Sequence, residues 1–284
     1  MTAGRATARQ SAGDYHGRPT TRLENDHLWL EALSAAGPRI VRLGLSGSTE
    51  NLLAETPDAG WPTPLGRYEL LGGHRLWAAP EDPGLAAAPD SDGLVMSVAG
   101  DVMRLEGRPE PTTGLVKSIT IRLNGASPVV ELHHELTNTG HDTIELAPWS
   151  ITQLPLGGTA RLPQAPMSND HVVRPNRLVV LWPYSSWEDP RLELRDGGCS
   201  VHGIAGRPFK VGTLVAGGSV SYRRCGVTLA SRFNAAEGAD YPDLGCNVEV
   251  YADERFLELE ILGALTKLQA GSSVALDERW ELTP

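Results

Sequence analysis

The chain has 284 residues, a formal net charge of -10, 31 glycines and 21 prolines. The acidic balance excludes broad nucleic-acid binding, which needs basic surface, and offers no attraction to anionic membranes. Apolar residues spread along the length exclude wholesale disorder, and no run reaches the ~20 residues that a membrane-crossing helix requires.

Residues 1–20 read as a flexible tail. They are rich in small residues, carry Arg5 and Arg9, and lack the apolar core of a secretory signal, so a cytoplasmic location is the default. Two short apolar runs follow, Leu28-Trp29-Leu30 and Ile40-Val41-Arg42-Leu43, separated by Gly37-Pro38. They predict neighbouring strands joined by a turn. Residues 51–63 are polar and proline-bearing and read as loop. Then comes Tyr68-Glu-Leu-Leu-Gly-Gly-His-Arg-Leu-Trp77, the stretch around which a ligand wall is expected. Its paired glycines permit a backbone shape that other residues resist. Behind them stand a titratable ring (His74), a planar cation (Arg75) and a flat aromatic face (Trp77), with Glu81 close by.

Residues 81–92 predict a long connection. Residues 117–123 alternate with Ile119, Ile121 and Leu123 on one face, and Asn124-Gly125 turns the chain into residues 129–136, which alternate again. His133 and His134 therefore point to opposite sides and make no same-face metal pair. Residues 143–149 open the next strand, which residues 151–156 continue after Pro148, and 157–174 read as loop. Leu178-Val-Val-Leu-Trp182 predicts a strand, followed by a loop displaying Tyr184 and Trp187. Residues 220–229 read as one strand and 238–245 as a loop carrying Tyr241 and Asp243. Residues 247–251, 256–261 and 271–282 are the closing strands. The run at 256–261 places Phe256, Glu258 and Glu260 on one face and Leu257, Leu259 and Ile261 on the other. Two nearby carboxylates suit a wet surface, or, if that face lines a cavity, a general base.

No long span has helical periodicity, and no phosphate-loop glycine pattern, zinc spacing or nucleophile elbow is present. Cys199, Cys225 and Cys246 are too widely spaced for a disulfide scaffold. The expectation is an all-β chain: one antiparallel domain of two stacked sheets over residues 21–284, with two smaller β domains as the alternative.

Three features resemble the galactose mutarotase-like superfamily: Leu71-Gly-Gly-His-Arg-Leu-Trp77, Asn138-Thr-Gly140 before a new strand, and Leu257-Glu-Leu-Glu260 followed by Ala270-Gly271 and a last strand. The resemblance implies a β supersandwich of large antiparallel sheets with a carbohydrate cleft on one face. In active aldose epimerases of that superfamily a glutamate takes the anomeric proton and a histidine protonates the ring oxygen. Glu260 matches the glutamate. The histidine belongs to a His-x-Tyr-Phe-like segment, but Ala147-Pro-Trp-Ser-Ile-Thr-Gln-Leu154 contains none, so His74 is the substitute expected here. Arg75, Trp77, Glu81, His171, Tyr184, Trp187, Tyr241, Asp243 and Glu258 are the candidate ligand-binding residues. The functional expectation is recognition of a sugar or sugar-like molecule with aldose-1-epimerase-like isomerisation, requiring no metal or organic cofactor. The alternatives are a non-catalytic carbohydrate-binding or regulatory module and a structural or partner-binding protein, with homo-oligomerisation open.

Overall fold

A computed structural model describes residues 8–81, 88–123, 125–164 and 175–284. In chain order the strands are β1 (Arg9–Tyr15), β2 (Arg18–Glu24), β3 (Leu28–Leu33), β4 (Arg39–Leu45), β5 (Glu55–Thr63), β6 (Gly66–Gly72), β7 (His74–Ala79) and β8 (Val95–Ala99). They continue with β9 (Val102–Glu106), β10 (Leu115–Leu123), β11 (Val129–Asn138), β12 (Ile144–Pro155), β13 (Thr159–Pro163), β14 (Val180–Leu181), β15 (Leu192–Arg195) and β16 (Gly198–His202). The last are β17 (Phe209–Thr213), β18 (Ser219–Arg224), β19 (Val227–Phe233), β20 (Val248–Ala252), β21 (Phe256–Leu262), β22 (Thr266–Leu268) and β23 (Ser273–Thr283), with one helical turn, α1 (Pro242–Gly245), before β20.

Two large antiparallel sheets dominate. The first has the order β1-β2-β3-β4-β7-β12-β21-β20-β17-β14, with β22 paired to β12. The second runs β15-β16-β13-β18-β19-β23-β11-β10-β9-β8. Alternation decides what each face buries. Leu76, Leu154, Leu257, Leu259, Val248 and Val211 of the first sheet pack against Ile119, Ile121, Leu132, Leu136, Leu276 and Trp280 of the second in one apolar core. The opposite face of the first sheet carries a second apolar cluster, including Trp77, Trp149, Ile151 and Phe256, joined by Tyr68 and Leu70 of the β5–β6 hairpin. That hairpin forms its own two-stranded sheet over the outer face.

The paired glycines make the transition from hairpin to sheet. Leu71, Gly72 and Gly73 all have left-handed φ (58°, 82° and 72°). A Cβ on Gly72 would lie 2.1 Å from Ala54 O, and one on Gly73 2.0 Å from Ile40 O. Close approach is needed because Gly73 N donates to Ala54 O (2.9 Å) and Gly73 O accepts from Gln153 N (2.8 Å), locking β7 beside β12. Gly73→Ala is therefore expected to cost at least ~2 kcal/mol, from left-handed strain plus the clash. Urea denaturation checks this; a loss within ~0.5 kcal/mol, the range of an ordinary surface change, would contradict it.

Several expectations are corrected. Residues 9–20 are not a tail: they form β1 and the start of β2, and Tyr15 is buried with its hydroxyl donating to Leu71 O. Residues 55–63 form β5 despite their proline and glycine, because β6 supplies a partner. Residues 159–163, read as loop, form β13, paired with β16 and β18. Residues 220–229 contain two strands, β18 and β19, turned at Cys225 and Gly226, both of positive φ. The strand expected to continue past Pro148 does so, as β12.

Candidate functional site

The outer face of the first sheet holds a cavity of about 360 Å³. Five neighbouring strands build its floor, each contributing the residues that alternate away from the core. β7 supplies Arg75 and Trp77, β12 Trp149 and Ile151, β21 Phe256, Glu258 and Glu260, β20 Tyr251, and β17 Lys210. The hairpin adds Trp61 and Leu70, and Glu81, Tyr184 and Arg255 complete the wall.

The floor is a set of buried ion pairs. Lys210 Nζ donates to Glu260 Oε2 (2.9 Å) and lies 2.7 Å from Glu249 Oε2. Burial alone would lower the Lys210 pKa, but the two carboxylates outweigh it and hold the ammonium well above its ordinary value. The ammonium also faces the rings of Trp149 and Trp182, at 4.8 and 4.7 Å. Trp149 Nε1 donates to the same Glu260 oxygen (2.8 Å). Both bonds fall on Oε2, which leaves Oε1 without a partner among the described residues.

Glu258 is held separately. Arg75 Nη2 (2.9 Å) and Gln153 Nε2 (3.0 Å) both donate to its Oε1. Burial raises the Glu258 pKa above the usual carboxylate range; Arg75 opposes this and Glu260 adds to it. The Arg75 guanidinium lies over Trp77, 4.7 Å from the ring centroid, and its Nε and Nη1 meet no acceptor among the described residues. Trp77 is steadied in turn: its Nε1 donates to Tyr68 Oη (3.1 Å), which also accepts from the fully buried Arg39. Burial likewise pushes the Tyr251 phenol up to about 12 and raises that of Tyr184. The Tyr184 loop is stapled to β17 by Ser185, whose Oγ accepts from Lys210 N (2.7 Å) and donates to Lys210 O (2.8 Å).

Among the sequence candidates, the fold brings Glu260, Glu258, Arg75, Trp77, Glu81 and Tyr184 to this one cavity. It does not bring His74. One residue before Arg75, that side chain points to the opposite face of β7, into the core between the sheets. The pairing of His74 with Glu260 is thereby corrected: the sheet itself separates them. Trp187 is largely exposed and lies outside the cavity lining, as do Tyr241, buried against its own loop, and Asp243 in α1. His171 lies outside the described residues. Sequence reasoning missed Lys210, Trp149, Tyr251 and Arg255. Only Lys210 left a signal, a lone cation in Phe209-Lys-Val-Gly-Thr213, where Phe209 and Val211 belong to the core.

His74 instead closes a polar relay between the sheets. Its Nδ1 lies 2.9 Å from Thr152 Oγ1, and its Nε2 2.7 Å from His134 Nε2 of the second sheet. His134 Nδ1 is 3.0 Å from Leu276 O. A carbonyl only accepts, so the proton of His134 sits on Nδ1. Its Nε2 then accepts from His74 Nε2–H, and His74 Nδ1 accepts from the Thr152 hydroxyl. Glu278 stands beside the pair, a carboxylate oxygen within 4.8 Å of their ring nitrogens, and it accepts from Ser150, Ser231 Oγ (2.8 Å) and Trp280 Nε1 (3.0 Å). Each of the three groups thus has hydrogen-bond partners within the fold.

Burial is the main cause that lowers both imidazole pKa values from the ordinary histidine value; the charge of Glu278 partly opposes it at His134. The rings are neutral in the fold but take protons in the unfolded chain near pH ~6.5. Stability is therefore expected to be complete above pH ~6.5 and to fall as pH drops below it, by up to ~1.4 kcal/mol per pH unit for each ring. Urea midpoints between pH 7.5 and 5 measure this. His134→Gln should flatten the slope; an unchanged slope would contradict the assignment.

No family model matches the chain, and no curated protein matches it. Solved structures do. A TPR-domain containing protein from Parabacteroides distasonis is 14% identical with TM-score 0.63, over 94% of this chain and 47% of its own, so this chain spans about half the length of that protein. A proposed aldose 1-epimerase from Klebsiella pneumoniae is 10% identical, with TM-score 0.57, over 97% of this chain and 83% of its own. A galactose mutarotase-like protein from Lactobacillus casei is 11% identical, with TM-score 0.56, over 93% of this chain and 100% of its own. Identities this low speak to the fold and not to the chemistry. With nearly all its strands in two large antiparallel sheets arranged as in these structures, the chain has the galactose mutarotase-like fold.

Proposed function

We propose that the cavity on the outer face of the first sheet recognises a sugar or sugar-like small molecule. One observation carries this reading: aromatic faces and buried charged groups converge on the same hollow. Trp61, Trp77, Trp149, Tyr184, Tyr251 and Phe256 offer apolar faces to the C–H side of a ring. Among the described residues Glu260 Oε1 has no partner and can accept from a hydroxyl, while Arg75 Nε and Nη1 are donors lacking acceptors. This mixture of apolar walls with a few fixed polar groups is what small-molecule sites require. A depression of about 580 Å³ on the outer face of the second sheet is larger, but no tryptophan or tyrosine lines it. The similarity to mutarotase-like structures agrees with a sugar ligand. Among the described residues no helix is long and apolar enough to cross a membrane.

Titration of tryptophan fluorescence with a panel of free sugars tests the reading. Tyr184 is about half exposed (52%) on a loop, so Tyr184→Ala should leave the melting temperature nearly unchanged. It should weaken sugar binding about fivefold, the equivalent of ~1 kcal/mol of lost stacking. Saturable binding that Tyr184→Ala leaves intact would place the ligand elsewhere.

A further inference from the structure

The cavity floor carries more negative than positive charge. Arg255 is taken up by Asp253, its Nε and Nη2 both donating to Oδ2 (3.1 and 2.8 Å), and Arg75 pairs with Glu258. Lys210 alone stands between two carboxylates, Glu249 and Glu260. Those two are directly opposite each other on β20 and β21, a placement in which like charges repel. Both are almost fully buried, so the repulsion is little screened. Glu81 adds a further carboxylate at the wall. One ammonium therefore faces two buried acids, and a second cation would even the count.

The place for that cation is open. Lys210 and Trp149 both reach Glu260 through Oε2, so Oε1 has no partner among the described residues, and Glu260 lines the cavity. A cation on Oε1 would pair with Glu260 while Lys210 keeps Glu249, giving two charges of each sign. The walls suit it as well, because Trp149, Tyr184 and Tyr251 line the same hollow and aromatic faces attract cations. An acidic or phosphorylated sugar meets the opposite: each cation in the lining already faces a carboxylate. Glu258 accepts both its bonds at Oε1, which leaves Oε2 to accept from a hydroxyl.

Resting on the sugar-site reading above, we propose that the ligand is an amino sugar whose ammonium donates to Glu260 Oε1. A primary ammonium brings three N–H donors and a charge, which a hydroxyl on the same ring carbon lacks. Glu260 thereby decides between an amino sugar and its neutral parent by pairing a buried charge rather than by shape. Around that position stand Lys210 on β17, Glu249 and Tyr251 on β20, Glu258 on β21 and Arg75 on β7. Glu81, Tyr184 and Arg255 stand at the wall beyond.

Isothermal titration calorimetry with matched pairs, glucose against glucosamine and galactose against galactosamine, tests the proposal. At pH 6.5 the amino sugar of at least one pair should bind about tenfold more tightly than its parent, because a charge-assisted hydrogen bond is about twice as strong as a neutral one. The ratio should fall above pH ~8, where an amine of the α-amino kind loses its proton. The parent sugar, followed alongside, registers any change in the protein's own groups. Glu260→Gln leaves Lys210 and Glu249 as a one-to-one pair and should bring the ratio close to one. Parents that bind as tightly as their amino forms overturn the amino-sugar assignment and leave the sugar site standing. A ratio that survives Glu260→Gln places the ammonium elsewhere and overturns the role of Glu260. Should that variant fold poorly, the wild-type pH profile decides: a ratio unchanged from pH 6.5 to 9.5 overturns the proposal. Absence of binding by either kind of sugar overturns it too, and a wider panel of free sugars that also fails removes the sugar-site reading itself.

Discussion

Lys210→Met is expected to destabilise the fold by about 3–5 kcal/mol, because a buried ion pair that loses one partner leaves an uncompensated charge. Two carboxylates are orphaned at once, those of Glu249 and Glu260, both almost fully buried. Burial already holds the Glu249 carboxyl well above its usual range, and Lys210 is the main group opposing that shift. Without the ammonium, Glu249 should keep its proton in the fold and release it on unfolding. The folded state then binds more protons than the unfolded one above pH ~4.5, so the penalty grows as pH rises from there. Adding Glu249→Gln should recover part of the loss. Urea denaturation at pH 5 and pH 7.5 reads both effects. A loss under ~1 kcal/mol, typical of exposed pairs, would mean that Lys210 is not the counter-charge of this floor.

Arg75→Met is expected to cost a similar ~3–5 kcal/mol for the same reason, now through Glu258. The guanidinium contributes the Glu258 contact and the stack on Trp77, so the variant loses a charge partner and packing together. Glu258→Gln in the Arg75→Met background should restore much of the stability, since a neutral amide needs no counter-ion. A double-mutant cycle measures this as a coupling of ~1–3 kcal/mol. Additive losses would show that the two side chains act independently. Both predictions concern groups that the sheet holds in place before any ligand arrives.

Strands whose alternation is clean were legible. In 130–136 every second residue is apolar save His134, and in 257–261 every second residue is apolar; those segments lie in β11 and β21. The shared face of Glu258 and Glu260 followed from the same period. What the period does not tell is which face meets the other sheet. For 74–77 it gives two pairs, His74 with Leu76 and Arg75 with Trp77, and only the partner strands decide which pair is interior. His74 was thus placed in the cavity although its ring closes a relay with His134, sixty residues later in the chain.

Lys210 was hidden for a related reason. Its partners sit on β20 and β21, brought alongside by the order β21-β20-β17, which no local pattern encodes. The N-terminal strands escaped because small and polar residues carry little β preference of their own. β1 pairs with β2, and it is the buried Tyr15 and Leu23 that anchor this edge. The glycine pair was readable as a need for unusual backbone, and its left-handed φ values bear that out. Its purpose, carrying the chain from the roofing hairpin into the sheet, required the third dimension.

The cavity can be interrogated at one atom. The Trp149 indole N–H donates to Glu260 at the cavity floor, and the Trp280 indole N–H donates to Glu278 inside the core. In a ¹⁵N–¹H spectrum with the two signals assigned by Trp149→Phe and Trp280→Phe, a binding sugar should move the Trp149 resonance in a saturable way and leave that of Trp280 in place. A sugar that binds while the Trp149 signal stays still would show that this hollow is not where it sits.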